Sequence, residues 1–174
     1  MKKFVIQLIG PSCSGKSTVE KMLKEKLPGV YVIAYDTQKR QLAGYNRTKD
    51  SGLIRQIIKG LYQAVCKIGN SIVLIAMISS EDEYKTYKET AIDNGYEFIS
   101  IELKASADIL FSRFKERLEL AKTQNIMHIL SVKDEETFIE NLSKPLFVPE
   151  DSIVFDTSKV EPEYIVDKIL ELIK

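Results

Sequence analysis

Tryptophan is missing from this chain, histidine occurs once, and only two cysteines are present in 174 residues. Cys13 and Cys66 offer neither a disulfide framework nor the spacing of a Cys/His metal site. An excess of charge of one sign is missing too: Lys+Arg and Asp+Glu both total 25, so the formal net charge is zero. No global electrostatic footprint for nucleic acid or an anionic membrane follows, although a local patch remains compatible with a small nucleic acid end. Long hydrophobic runs are also missing. Met-Lys-Lys is followed by the short run Phe4-Val5-Ile6-Gln7-Leu8-Ile9, which stops at a glycine. That is neither a signal peptide nor a membrane span. The triplets Asn46-Arg47-Thr48 and Asn141-Leu142-Ser143 are therefore not read as glycosylation sites, and a cytoplasmic address without membrane partners is expected. No internal repeat, linker or low-complexity segment interrupts the chain, whose length suits one domain with a full core.

What is present is an alternation of apolar runs with helical patterns. Strands are expected at 3–9, 30–35, 72–78, 98–103 and 152–155, each rich in Val and Ile. The third run, Ile-Val-Leu-Ile-Ala-Met-Ile, is apolar on both faces, as in strands buried between two helix layers of a parallel sheet. Helices are expected near 17–27, 51–68, 82–94, 105–123, 134–142 and 161–173. Asn94-Gly95 reads as a helix stop, and Glu161-Pro162 as a helix start followed by the apolar stripe Ile165, Val166, Ile169, Leu170, Ile173. Five β–α units with short connections give a doubly wound α/β sheet.

Residues 10–17, Gly-Pro-Ser-Cys-Ser-Gly-Lys-Ser, complete the pattern G-x-x-x-x-G-K-[ST] between the first strand and the first helix. A strand feeding a glycine turn into a helix N-terminus makes a nest of N–H groups at a positive dipole end, which suits phosphate. Expected nucleotide contacts are Gly10, Ser12, Cys13, Ser14, Gly15, Lys16, Ser17 and Thr18, with Lys16 on the β- and γ-phosphates and Ser17 on Mg²⁺. Cys13, at a helix N-terminus, is either a thiol of lowered pKa or simply a small loop residue. The fold class is an α/β P-loop NTPase three-layer sandwich around a five-stranded parallel sheet.

Missing motifs narrow the class. GTPase Asp-x-x-Gly and Asn-Lys-x-Asp and the transporter Leu-Ser-Gly-Gly do not occur, and the chain is too short for a ring ATPase. The second strand ends Ala34-Tyr35-Asp36, which puts a carboxylate beside the phosphate loop. Asp36 can there orient an acceptor hydroxyl and take its proton, or merely N-cap the following helix. Arg113 and Arg117 are four apart and share a helix face, either aimed at a nucleotide or on a surface whose acids Glu116 and Glu119 pair with neighbours.

On the Gly10–Ser17 loop, Asp36, the Arg113/Arg117 pair and the late Val154-Phe155-Asp156-Thr157-Ser158, the chain resembles the polynucleotide kinase, zeta toxin and chloramphenicol phosphotransferase group of P-loop kinases. The resemblance spans most of the chain. It implies ATP and Mg²⁺ as cofactors, Asp36 as base toward an acceptor hydroxyl, and a helical lid over about 112–142 carrying Arg113 and Arg117. It also implies that Lys39, where the group more often has Arg, or the adjacent Arg40 grips the acceptor, and that Asp156 and Thr157 border the adenine.

One departure stands out: strand three ends Ile78-Ser79-Ser80, without the acid that many P-loop enzymes place there. Ser79 or Ser80 then orients a Mg²⁺-bound water, with Glu81 and Asp82 the nearest carboxylates. Residues 45–52 read as a polar, basic loop before a helix carrying Arg55 and Lys59, and the lone His128 reads as a packing residue. Together these features point to an ATP-dependent phosphotransferase acting on a hydroxyl of a small molecule, a nucleotide or a polynucleotide 5′ end, as monomer or homodimer. The alternative is a nucleotide-binding regulatory protein with little transfer activity.

Overall fold

The computed structural model describes residues 2–127 and 130–174, so the expectation for His128 lies outside the described residues. Five parallel strands stand in the order β2-β3-β1-β4-β5, with β1 (Lys3–Ile9) at the centre. β1 is flanked by β3 (Ile72–Ile75) and by the longer β4 (Tyr96–Lys104), while β2 (Tyr31–Ala34) and β5 (Ile153–Asp156) form the edges. Alternate residues of β1 serve opposite faces. Phe4, Ile6 and Leu8 pack with α1 (Lys16–Lys26) and α7 (Pro162–Leu172), while Val5 joins α3 (Arg47–Ile68) and α4 (Glu81–Asp93). The expected five-stranded, three-layer α/β fold is therefore present.

Several boundaries differ from the sequence reading, each for a local reason. β3 stops at Ile75 instead of Ile78, opposite Ala34, where its edge partner β2 ends and turns into helix at Tyr35. The helix expected after Asp36, given no bounds from the sequence, is α2 (Tyr35–Gln41), which follows β2 directly and already includes Asp36. Its two turns carry one buried residue, Tyr35, so no apolar period announces it. The stretch 45–52 is not a loop beyond Asn46. Asn46 Oδ1 accepts from the N–H groups of Thr48 (3.0 Å) and Lys49 (3.2 Å), and Asp50 accepts from Asn46 N (2.7 Å), so α3 starts at Arg47. Gly95, at φ 77°, ends α4 as expected.

α5 (Ala107–Thr123) and α6 (Glu135–Ser143) share a small core of their own, built from Leu110, Phe114, Leu118, Leu130 and Phe138. The Phe114 and Phe138 rings stack at 4.2 Å between centroids. On the α4 face of the sheet, Ser100 Oγ donates to Gln7 Oε1 (3.1 Å) and lies 3.2 Å from the Tyr84 hydroxyl, which donates to Asp151 (2.8 Å). That chain keeps buried Gln7 and Ser100 satisfied and fastens the segment returning from α6. Among the described residues no helix is long and apolar enough to cross a membrane.

Candidate active site

The C-terminal tips of β2, β3 and β1 stand side by side, and the candidate residues gather above them. At the β1 tip, Gly10 has φ 151° and passes so close to β4 that a Cβ there would sit 2.3 Å from the Leu103 carbonyl oxygen. Gly15 is left-handed at φ 98° and is the N-cap of α1, whose first turn holds no acid. The positive end of the helix is therefore not neutralised locally. Ser17 and Thr18 are exposed in that turn, whereas Ser12 is exposed on the loop before it. Ser14 is fully buried, and its Oγ has no hydrogen-bond partner among the described residues.

Lys16 folds back over the loop and donates to the carbonyl oxygens of Gly10 (2.8 Å) and Pro11 (2.6 Å). Burial pushes its amine down to about 8, against the opposing pull of Asp36 and Cys13. An ammonium in that state gains from any phosphate that replaces the carbonyls. Cys13, at φ 64°, does not have the lowered pKa that a helix N-terminus would confer. Burial raises its thiol despite the nearby charges of Arg117, Lys16 and Arg113.

Asp36 is the second residue of α2 and does not cap it; the N-cap is Ala34, and no side chain bonds the helix start. The carboxylate is 56% exposed and pairs with Lys39 at 2.7 Å. Burial alone would raise its pKa, but Lys39, the Ser131 hydroxyl and the charge of Arg40 together hold it below the ordinary carboxylate range. Lys39 is therefore committed to Asp36 across one helical turn.

Arg113 reaches from α5 to the turn after β5, donating through Nη1 to Thr157 Oγ1 (2.9 Å) and through Nη2 to the Thr157 carbonyl (2.6 Å). It also touches the Cys13 carbonyl at 3.4 Å, and the charge of Arg117 acts on the Cys13 thiol. The neighbouring acids are occupied elsewhere: Glu119 pairs with Lys122 at 2.6 Å, and Glu116 accepts from Ser112 at 3.4 Å. Asp156 closes its own turn by accepting from Ser158 N (3.0 Å) and pairing with Lys159 (3.3 Å).

At the β3 tip, Ser80 N-caps α4 by accepting from Glu83 N (3.2 Å). Ser79 donates through N (2.8 Å) and Oγ (3.1 Å) to Glu83, and Arg55 donates to Ser79 Oγ (2.9 Å). Glu83, rather than Glu81 or Asp82, is thus the carboxylate tied to that tip; Glu81 faces Lys85 at 3.7 Å. Sequence reasoning missed Glu83, although Ser80-x-x-Glu83 is a legible capping signal. It also missed Ser131, the Tyr35–Tyr45 hydroxyl pair at 3.1 Å, and the bond from Arg47 to Asn141 at 3.0 Å. No local pattern marks those. Ser17, exposed in the first turn of α1, offers a hydroxyl that would suit Mg²⁺ alongside phosphate oxygens and water.

A family model described as an AAA domain matches residues 5–132. No curated protein sequence matches the chain. Among solved structures, one provisionally described as a kinase from Chloroflexus aurantiacus J-10-fl superposes with TM-score 0.71 at 17% identity, covering 100% of both chains. The Mycobacterium tuberculosis APS kinase CysC, solved with AMPPNP and APS, gives 0.62 at 16% identity over 98% of this chain and 97% of its own. A sugar kinase from Janibacter sp. HTCC2649 gives 0.63 at 16% identity over 97% and 93%. Such identities speak for a shared fold. With its matched region running from β1 through the phosphate loop to the turn beyond α5, the chain belongs to this AAA-domain family.

Proposed function

We propose that this chain is an ATP-dependent phosphotransferase that moves the γ-phosphate to an acceptor hydroxyl. The observation that carries the reading is that Lys16 at the β1 tip and Asp36 at the β2 tip share one edge of the sheet, with the Asp36 charge acting on the Lys16 amine. A phosphate loop alone would serve any nucleotide binder; a carboxylate two strands away serves an acceptor.

In this reading the N–H groups of residues 10–17 and the Lys16 ammonium cradle the phosphates. Bound Mg²⁺, held by Ser17 and the phosphates, supplies neutralisation of the triphosphate charge. Asp36 orients the acceptor hydroxyl. Its lowered pKa makes it a weak base, suited to taking the proton late, after bond cleavage to the leaving group has advanced. Arg113 and Arg117, on the lid formed by the α5–α6 unit, lie over the loop where charge spreads in the transition state. The similarity to an APS kinase and a sugar kinase supports a small hydroxylated acceptor.

The test is transfer from γ-labelled ATP with Mg²⁺ to nucleosides, nucleotides, sugars and 5′-hydroxyl oligonucleotides, with Asp36→Asn alongside. Product on one acceptor class, reduced about 10²–10⁴-fold in the variant with AMPPNP affinity retained, is expected. ATP binding without acceptor-dependent product across the panel would instead favour a nucleotide-responsive regulator.

A further inference from the structure

Lys39, the residue whose position suggests an acceptor grip, is spent on Asp36 at 2.7 Å and is only 17% exposed. Two other cations stand over the same strand tips. Arg55 rises from α3 to the β3 tip, where Ser79 Oγ (2.9 Å) and Glu83 (3.7 Å) hold it midway between the phosphate loop on β1 and Asp36 on β2. Arg47, in the first turn of α3, bonds the neutral Asn141 at 3.0 Å. All three contacts run through Nη1, which leaves Nη2 and Nε of each guanidinium to fork onto an oxyanion. Near the same tips, the Tyr35 hydroxyl lies 3.1 Å from the Tyr45 hydroxyl, on the residue adjacent in sequence to Asp36. Burial and that bond raise the Tyr35 pKa, while the charges of Arg55 and Arg47 oppose the rise, which places both guanidinium groups within electrostatic range of it. The Tyr35 phenol therefore stays a hydrogen-bonding alcohol and does not neutralise the arginines.

Resting on the kinase reading, we infer that the acceptor carries an oxyanion (phosphate, sulfate or carboxylate) beside the hydroxyl that is phosphorylated. Arg55 and Arg47 bind that group, with the Tyr35–Tyr45 pair donating a further hydrogen bond, and the hydroxyl is thereby turned toward Asp36. Arg55 is the more deeply engaged of the two, because Ser79 and Glu83 fix its plane in advance. Local charge favours this choice in a chain that is neutral overall. Glu83 offsets Arg55, Asp36 offsets Lys39, and Asp50 caps α3, while the acid that Arg47 acts on, Glu140, is itself paired with Lys144 at 2.6 Å. The absence of net positive charge argues at the same time for a small anion over a polynucleotide.

Two measurements test it. In the first, the phosphate loop is filled with AMPPNP and Mg²⁺, and inorganic sulfate is titrated by calorimetry into wild type, Arg55→Gln and Arg47→Gln, with thermal unfolding confirming that each variant folds. One sulfate site is expected, weakened about tenfold or more by Arg55→Gln and less by Arg47→Gln. In the second, transfer from γ-labelled ATP is compared for matched acceptors with and without the anion: nucleoside against nucleoside monophosphate, sugar against sugar phosphate and sugar acid. The charged members should have the higher kcat/KM, and Arg55→Gln should raise acceptor KM about tenfold while the KM for ATP holds. Preference for the neutral members, or indifference of the charged ones to both substitutions, overturns the inference and leaves the kinase reading standing. Sulfate binding that depends on Arg55, with no transfer to any acceptor, removes the kinase reading and keeps the anion site. Absence of both removes both.

Discussion

Around the phosphate loop, backbone does the positioning. Gly10, Cys13 and Gly15 take positive φ values, the α1 N-terminus opens toward the loop, and even Lys16 is held by main-chain oxygens. Around the β2 and β3 tips, side chains do it. Lys39 holds Asp36, Glu83 holds Ser79, Ser79 holds Arg55, and Tyr45 holds Tyr35. The two halves of one sheet edge thus differ in what they tolerate. Main-chain geometry is specified by a contiguous motif and fails as a unit, whereas a side-chain mesh can be edited one residue at a time. On the proposed reading, the first half holds the nucleotide and the second holds the acceptor.

The largest effect should come from striking the backbone half. Gly10→Ala places a Cβ within 2.6 Å of Ser14 Oγ and closer still to the Leu103 carbonyl, at a φ that side chains avoid. A loss of about 3 kcal/mol or more, in stability or in AMPPNP affinity measured by calorimetry, is expected. Lys16 offers a gentler probe of the same half. Its amine titrates at about 8 in the unliganded protein, and phosphate favours the charged form, so AMPPNP affinity should hold below pH 8 and decline above it. Binding above pH 8 should also take up a proton, which calorimetry in buffers of different ionisation enthalpy would read.

In the side-chain half, Lys39→Met should leave AMPPNP affinity in place and let the Asp36 carboxyl rise, moving the acid limb of kcat/KM to higher pH. The sign for stability follows from the same shift. With its folded pKa depressed, Asp36 adds stability above the ordinary carboxylate range and loses it as pH falls through the folded value; the variant should lack that contribution in denaturation series. Smallest of all is Asn46→Ala, which removes the α3 cap for about 1 kcal/mol by urea unfolding. An Asn46→Ala effect as large as that of Gly10→Ala would contradict the distinction between the halves.

Legibility followed the same division. The strand-turn-helix of the phosphate loop is local, so sequence spacing sufficed for β1, Gly10, Gly15, Lys16 and α1. The parallel sheet was legible because buried parallel strands leave apolar runs, but its order was not, since 3-2-1-4-5 would also put β1 at the centre. The bounds of α2 escaped because seven residues with a single buried side chain carry no period. The end of β3 escaped because it depends on where β2 turns, which no window on β3 contains. Glu83 was readable as a cap and was overlooked. Ser131 and Asn141 were beyond reach, since they meet Asp36 and Arg47 only across the fold.

The order of the sheet also acts as a ruler. One strand, β3, separates the tip that carries Lys16 from the tip that carries Asp36. Neighbouring strands lie about 4.8 Å apart, so those two tips are spaced by roughly 10 Å. That gap spans a terminal phosphate and one attacking alcohol and little else. Lengthening it would require a sixth strand, and closing it would require losing β3. Selection for a new acceptor can therefore rework α2, α3 and the β3 turn while the distance between donor and acceptor stays fixed by strand count.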